Sequence, residues 1–453
     1  MLALAVAGFL AVRYFGQGLA APVPAAGQVS LGAGNAKLPD ALPHVLLALA
    51  LVIVTARAVG ALFTALHQPP VIGEVLAGIF LGPSLLGRLA PTASAYVLPA
   101  SVAPFLSVLS QVGVILYMFL VGLELDLGLI RNRTHATVAI SHASIIAPFL
   151  LGTALSLLLY PLVSSSDVPF TAFALFCGVS MSVTAFPVLA RILTDRQFHR
   201  TRVGTLALTC AAVDDVTAWC LLAFVVSVVN ARLGGALRTL GFTLGFIAAM
   251  VFVVRPSVRR LVHWQESRTI TKGVMTVVFV ALLVSALVTE AIGIHAVFGA
   301  FLLGLVIPHD SAVARSLAQK LEDVVVVLLL PAFFAYTGMR TQIGLVSGAT
   351  QWLLCALVVA TASAGKFGGT CIAARVTGLP WRDAAALGVL MNTRGLMELI
   401  VLNIGLDLRL ISPTLFAMMV LMALVTTMST TPIMDALRSR APNVEDQANP
   451  RAA

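Results

Sequence analysis

The sequence predicts an all-α polytopic membrane protein with about 13 transmembrane helices in two inverted-topology repeats. Three observations predict it: the composition, an unbroken succession of apolar segments, and an internal likeness between two halves. Of 453 residues, 59% are hydrophobic and only 10% are charged, and the mean hydropathy is +1.00. Soluble domains carry roughly a quarter charged residues, so a soluble enzyme or binding module is excluded. Short connections join the apolar segments throughout, which leaves no room for a soluble module between them.

Residues 1–16, MLALAVAGFLAVRYFG, form a short apolar run before a Gly/Pro/Ala-rich linker. A span needs about 20 apolar residues, so this run reads as signal-like or marginal. Residues 1–42 are therefore left outside the core count. From residue 43 the spans fall at 43–63, 70–87, 104–126, 137–160, 170–193, 203–228, 237–254, 273–289, 294–308, 323–338, 349–374, 384–405 and 413–435. A short tail, 438–453, follows a membrane domain of 43–437.

Lysines and arginines orient this map. Nineteen fall on the side of the tail and six on the opposite side; Arg13, Lys366 and Arg394 complete the 28. Such a positive-inside bias places the C-terminus in the cytoplasm. The net charge of +9 is thereby a topology signal, and nucleic acid is not expected as a partner.

IGEVLAGIFLG (72–82) resembles IGIHAVFGAFLLG (292–304), and FLVGLELDLGLI (119–130) resembles FAYTGMRTQIGLV (334–346). The halves are then 43–228 and 273–435, with 237–254 linking them. A single linking span inverts the second half, a pattern common in secondary transporters.

Asp214 and Asp215 lie in the middle of the sixth span, GTLALTCAAVDDVTAWCLLAFVV. An ionised carboxylate at that depth costs from about 2.5 kcal/mol upward, so the pair points to handling of cations or protons. Successive helical residues point about 100° apart, and the two therefore line adjacent walls of a cavity. Proximity couples their titration, so cation and proton compete. In SMSVTAFPVLARIL, Pro187 follows Ser180, Ser182 and Thr184 and interrupts the fifth span. Its counterpart, LGVLMNTRGLMELI, places Asn392, Thr393, Arg394, Gly395 and Glu398 inside an apolar segment. Paired interrupted helices mark a transport site. Lys366, the one lysine inside a span, needs a buried counter-charge, and the aspartates are its natural partner.

Glu74, Glu124 and Asp126 read as entrance residues or as solvated span ends. His295 reads as a packing histidine. The five cysteines lack metal-ligand spacing and read as small buried hydrophobes.

The motifs QPPVIGEVLAGIFLGPSLLG, YMFLVGLELDLGLI, TAFPVLARIL, AAVDDVTAW, HAVFGAFLLGLVIP and LMNTRGLMELI resemble the second monovalent cation:proton antiporter family. The resemblance covers 43–437. It implies two crossed discontinuous helices in a core domain (137–228 and 349–435) and a separate dimerisation scaffold (43–126 and 237–338), hence a homodimer. It also implies that the core moves against the scaffold. By position, Asp215 matches the cation- and proton-binding aspartate. Asp214 matches a position that is aspartate in electrogenic members, and Lys366 the lysine that pairs with it. Thr184 and Pro187 match the first broken helix, and Asn392 to Glu398 the second. The surroundings look closest to plant-type exchangers, which usually carry Asn–Asp; Asp214 departs from that pattern.

The expected function is secondary active exchange of Na+ or K+ for protons, with Asp214 and Lys366 arguing for electrogenic transport. The expected site is a multi-pass protein of the cell inner (plasma) membrane, in contact with lipid and without a cofactor. The nearest rival is a channel-like potassium efflux protein without tight proton coupling. A sodium-coupled organic-anion symporter fits the aspartate pair poorly. An intramembrane aspartyl protease needs its two aspartates on separate helices.

Overall fold

The computed structural model describes residues 2–22, 38–124, 135–196, 198, 201–230, 236–265 and 272–439. Asp126, most of the linker before residue 38 and the tail beyond Ser439 lie outside the described residues. Every described element is helical. Among the described residues, eleven helices are long and apolar enough to cross a membrane, and the bent pair Trp381–Met391 and Leu396–Asp407, counted as one span, makes twelve.

The difference from 13 lies at 294–308, where the helix is Ala296–Val306. Eleven residues rise about 16 Å, short of the roughly 30 Å hydrocarbon core. Both limits have local causes. His295 caps the start, accepting from the Val297 amide at 3.5 Å. Ile307, which precedes Pro308, is extended (φ −76°, ψ 127°) because proline disfavours helix in the residue before it.

Three helices contain a π-turn. Met250–Val254 precedes Pro256 and Val325–Leu329 precedes Pro331, each a proline that lacks the N–H for a regular ladder. The third, Ala364–Gly368, contains no proline and carries Lys366. It lies where this helix presses on His135–Val163: a Cβ on Gly365 would sit 2.6 Å from Pro148 Cα.

The helices pack in two groups. One comprises Leu38–Ala65, Pro70–Leu81, Ala103–Glu124, Lys272–Ile292, Ala296–Val306 and the helix 312–340. The other comprises His135–Val163, 170–195, Arg202–Asn230, 348–376, 381–407 and Pro413–Ser439. Within the first group the halves exchange partners. Pro70–Leu81 packs on Leu330–Arg340, and Ala296–Val306 packs on Ala103–Glu124. Gly78 meets the Phe334 carbonyl, Gly122 the Phe301 carbonyl and Gly304 the Phe119 carbonyl. These glycines lie in the sequence motifs that repeat, so the repeat describes a reciprocal pairing.

The N-terminal run forms a helix, Leu2–Gly16, docked on the second group. Its Gly16 lies against the Phe170 ring, and the Ser166 amide donates to the Pro22 carbonyl at 3.1 Å. Four cysteines are buried; Cys220 is exposed and so departs from the expected pattern. It shares an i, i+4 face with the exposed Phe224, on the lipid side of its helix.

Candidate functional site

Two interrupted helices cross inside the second group. The first stops at Ser182, runs extended through Val183 (φ −65°, ψ 137°) and Ala185 (φ −84°, ψ 91°), and resumes as Phe186–Asp195. Pro187 sits in the first turn of that second half, where its missing N–H and fixed φ suit a helix start. It opens a half-helix; it does not kink a continuous one.

The second interruption has no proline. Trp381–Met391 ends at Asn392, and Leu396–Asp407 resumes at a 46° bend. Thr427 holds the gap: its hydroxyl accepts from the Arg394 amide and donates to the Arg394 carbonyl, both at 2.9 Å. Gly395 allows close approach, because a Cβ there would lie 2.7 Å from Val188 Cγ2. The two gaps join directly. The Ala185 amide donates to the Thr393 carbonyl at 3.1 Å, and Thr184 Oγ1 lies 3.3 Å from the Met391 carbonyl.

Asp214 and Asp215, on Arg202–Asn230, are fully buried beside the first gap. Their surroundings differ sharply. Asp214 Oδ1 accepts from Ser141 Oγ at 2.9 Å. Its Oδ2 accepts from Ser144 Oγ (2.6 Å), Thr184 Oγ1 (2.9 Å) and Lys366 Nζ (3.0 Å). Neither oxygen of Asp215 has a hydrogen-bond partner, although the Phe186 backbone N–H lies nearby.

The last carbonyls of a helix lack intrahelical donors and carry partial negative charge. Three consecutive carbonyls at the end of Phe170–Ser182 each meet a buried cation. Arg394 donates to Ser180 at 3.0 Å and to Met181 at 2.7 Å, and Lys366 donates to Ser182 at 2.6 Å. Glu398 pairs with Arg394 at 3.0 Å. Among the described residues, the buried charged side chains are therefore Asp214, Asp215, Glu398, Lys366 and Arg394. Three carboxyls face two cations. When all are ionised, one negative charge is in excess, and the carboxylate left without a partner is Asp215.

Of the residues picked from sequence, the structure brings Thr184, Asp214, Asp215 and Lys366 together around the first gap. Arg394 and Glu398 join them through the half-helix carbonyls. Ser182 contributes its carbonyl, since its hydroxyl turns back to Gly178 and Ile145. Asn392 and Thr393 form the second gap; Asn392 Oδ1 has no partner, and Thr393 Oγ1 lies 3.5 Å from Thr430 Oγ1. Glu74 is half-buried on Pro70–Leu81 and Glu124 is an exposed helix end, both in the first packing group. Ser141, Ser144 and Thr427 were not picked. The signal for the serines was present in SHAS, two hydroxyls three residues apart on one helix face.

A family profile described as "sodium/hydrogen exchanger, transmembrane" matches residues 48–436. The chain is 47% identical over 388 residues to the Na(+)/H(+) antiporter NhaS4 of Synechocystis sp., covering 84% of this chain and 94% of that one. It is 41% identical to cation/H(+) antiporter 18 of Arabidopsis thaliana (89% of this chain, 50% of that one). It is 33% identical to K(+)/H(+) antiporter 1 of Saccharomyces cerevisiae (82% and 44%). The chain thus spans most of the cyanobacterial relative and about half the length of the plant and yeast ones. Among solved structures, the sodium proton antiporter MjNhaP1 of Methanocaldococcus jannaschii shares the fold with a TM-score of 0.62. That match has 14% identity and covers 88% of this chain and 97% of that one.

Proposed function

The chain belongs to the sodium/hydrogen exchanger family, and from that premise we propose that it exchanges a monovalent cation, Na+ or K+, for protons across the membrane it spans. The observation that carries the reading is the inequality of the two aspartates. Asp214 is occupied by four donors, while Asp215 is buried with none. The excess negative charge of the cluster fits one monovalent cation or one proton, and the two compete for the Asp215 carboxylate.

Asp214 and Lys366 make the exchange electrogenic. A cation that binds at Asp215 also draws on Asp214 and weakens the 3.0 Å bridge to Lys366. The desolvated ammonium, once released, gives up its proton. Two protons then leave for each cation that enters, one from Asp215 and one from Lys366. Thr184 and the crossed half-helices hold the geometry, and Arg394, on the half-helix carbonyls, stays paired with Glu398 while the cargo changes.

The second packing group is the moving core and the first is the scaffold, through which two copies of the chain pair. The protein sits in the cell inner (plasma) membrane with its C-terminus cytoplasmic, the orientation that the lysine and arginine bias favours.

The test is transport by purified protein in proteoliposomes, with Na+ or K+ offered under a clamped proton gradient. Wild-type protein exchanges cation for protons, and Asp215→Asn abolishes the exchange. Persistence of proton-coupled flux in Asp215→Asn overturns the assignment. Cation conductance without proton movement in the wild type overturns antiport itself.

A further inference from the structure

We propose that Asn403, Thr337, Arg340 and Asp407 form a latch between core and scaffold that sets the side from which the cation reaches its site. The proposal rests on the exchange reading above, in which the core moves against the scaffold.

Leu396–Asp407 belongs to the core and Leu330–Arg340 to the scaffold, and they meet through a chain of polar contacts. Asn403 Nδ2 donates to Thr337 Oγ1 at 2.9 Å, and both side chains are buried. Arg340 Nη1 lies 3.3 Å from Asn403 Oδ1 and 2.6 Å from Asp407 Oδ1. The guanidinium also stacks over the Tyr336 ring at 5.1 Å, which fixes its orientation from the scaffold side. Asn403 Nδ2 also donates to the Leu399 carbonyl within its own helix at 2.9 Å, so parting the two helices strands one amide N–H and the Asn403 Oδ1, and this junction resists sliding. None of these four residues touches the aspartates. They are positioning residues.

The opposite end of the same boundary is built differently. Val71, Ile72 and Val75 of the scaffold face Leu399, Ala423 and Leu424 of the core across a narrow apolar gap with room for about one water. Arg394, Gly395 and Thr427, the second gap itself, line its inner wall. Below it the core reaches the scaffold through an exposed contact, Arg196 Nη2 to the His67 carbonyl at 3.3 Å. Arg196 is engaged mainly within the core, its Nη1 shared between the two carboxylate oxygens of Asp435 at 2.9 and 3.0 Å. The boundary is thus held by buried hydrogen bonds at the Asp407 end and by charged contacts at the Arg196 end, where Arg191 of the core also lies near Glu74 of the scaffold. This is the arrangement of a state closed toward the Asp407 face, which the charge bias places outside. Breaking the latch shifts the population toward the state open to that face.

The experiment measures the KM for Na+ and for K+ from each face separately, in oriented proteoliposomes, for wild type, Asn403→Leu and Thr337→Val. The Thr337→Val change is isosteric and keeps the Arg340–Asp407 pair, so it decides the matter if Asn403→Leu does not assemble. The expected result is a split in sign. KM falls at the Asp407 face and rises at the Arg196 face, and the ratio of the two changes by about fivefold, the weight of one buried hydrogen bond. A purely structural role lowers the active fraction and leaves both KM values in place. Unchanged KM values, or values that move in the same direction at both faces, overturn the latch. If wild-type protein fails to exchange cation for protons, the functional reading falls and takes the latch with it.

Discussion

Lys366 uses all three of its ammonium hydrogens inside the bundle, on Asp214, the Ser144 carbonyl and the Ser182 carbonyl. Lys366→Met removes the counter-charge and strands a carboxylate among apolar helices, at a cost of about 3–5 kcal/mol. Removing both charges, as in Asp214→Asn with Lys366→Met, is expected to recover most of that loss, because no uncompensated ion remains. Thermal unfolding of the single and double variants in detergent checks both statements. The aspartates and the lysine were legible in the sequence because an ionisable group in an apolar helix is costly and therefore conspicuous. Ser141 and Ser144 left only the spacing of SHAS as a mark, since a hydroxyl in a helix can satisfy itself on a carbonyl of the preceding turn and shows no cost. Backbone roles were equally hidden. Ser182 was picked for its hydroxyl and serves through its carbonyl.

At the scale of helices, proline was the readable punctuation, although its effect was not always the expected one. Pro187 begins a half-helix, while Pro256 and Pro331 each follow a π-turn. The second gap, without proline, showed only as a polar run, and its limits depend on Thr427 from another helix. Glycines offer a contrast that can be measured. Gly78 abuts the Phe334 backbone carbonyl, so Gly78→Ala forces two helices apart and is expected to destabilise by about 1–3 kcal/mol. Gly245 has nothing within 4 Å, so Gly245→Ala is expected to be neutral or to stabilise by up to about 1 kcal/mol through helix propensity. Paired thermal melts of the two variants test the close packing of Pro70–Leu81 on Leu330–Arg340. Equal effects would show that the Gly78 contact is not the close one described.

For the whole molecule, spans, their order and the repeat were legible because a bilayer permits few solutions for a long apolar chain. The division into packing groups came from family resemblance, since which helix touches which leaves little trace in hydropathy. Charge movement is the property that joins the site to the membrane around it. If one cation enters as Asp215 and Lys366 each release a proton, one net charge crosses per cycle. The exchange rate of the wild type should then follow an imposed membrane potential, read with a voltage-sensitive dye in proteoliposomes. The double variant Asp214→Asn/Lys366→Met should lose that voltage dependence where it still exchanges, because only Asp215 is left to titrate. Voltage-independent exchange by the wild type would return Lys366 to a purely structural role.

The reciprocal pairing of the two halves also bears on how the protein is made. Pro70–Leu81 packs at once on Leu38–Ala65, but its second partner, Leu330–Arg340, is synthesised roughly 250 residues later. At about 5–20 residues per second that is about 10–50 seconds. During this interval the Gly78 side of the early helix has only lipid or the insertion machinery to lie against. The same exchange of partners therefore leaves the first half incompletely packed until the second is made. Biogenesis would then stall in truncated chains long before the ion site is complete.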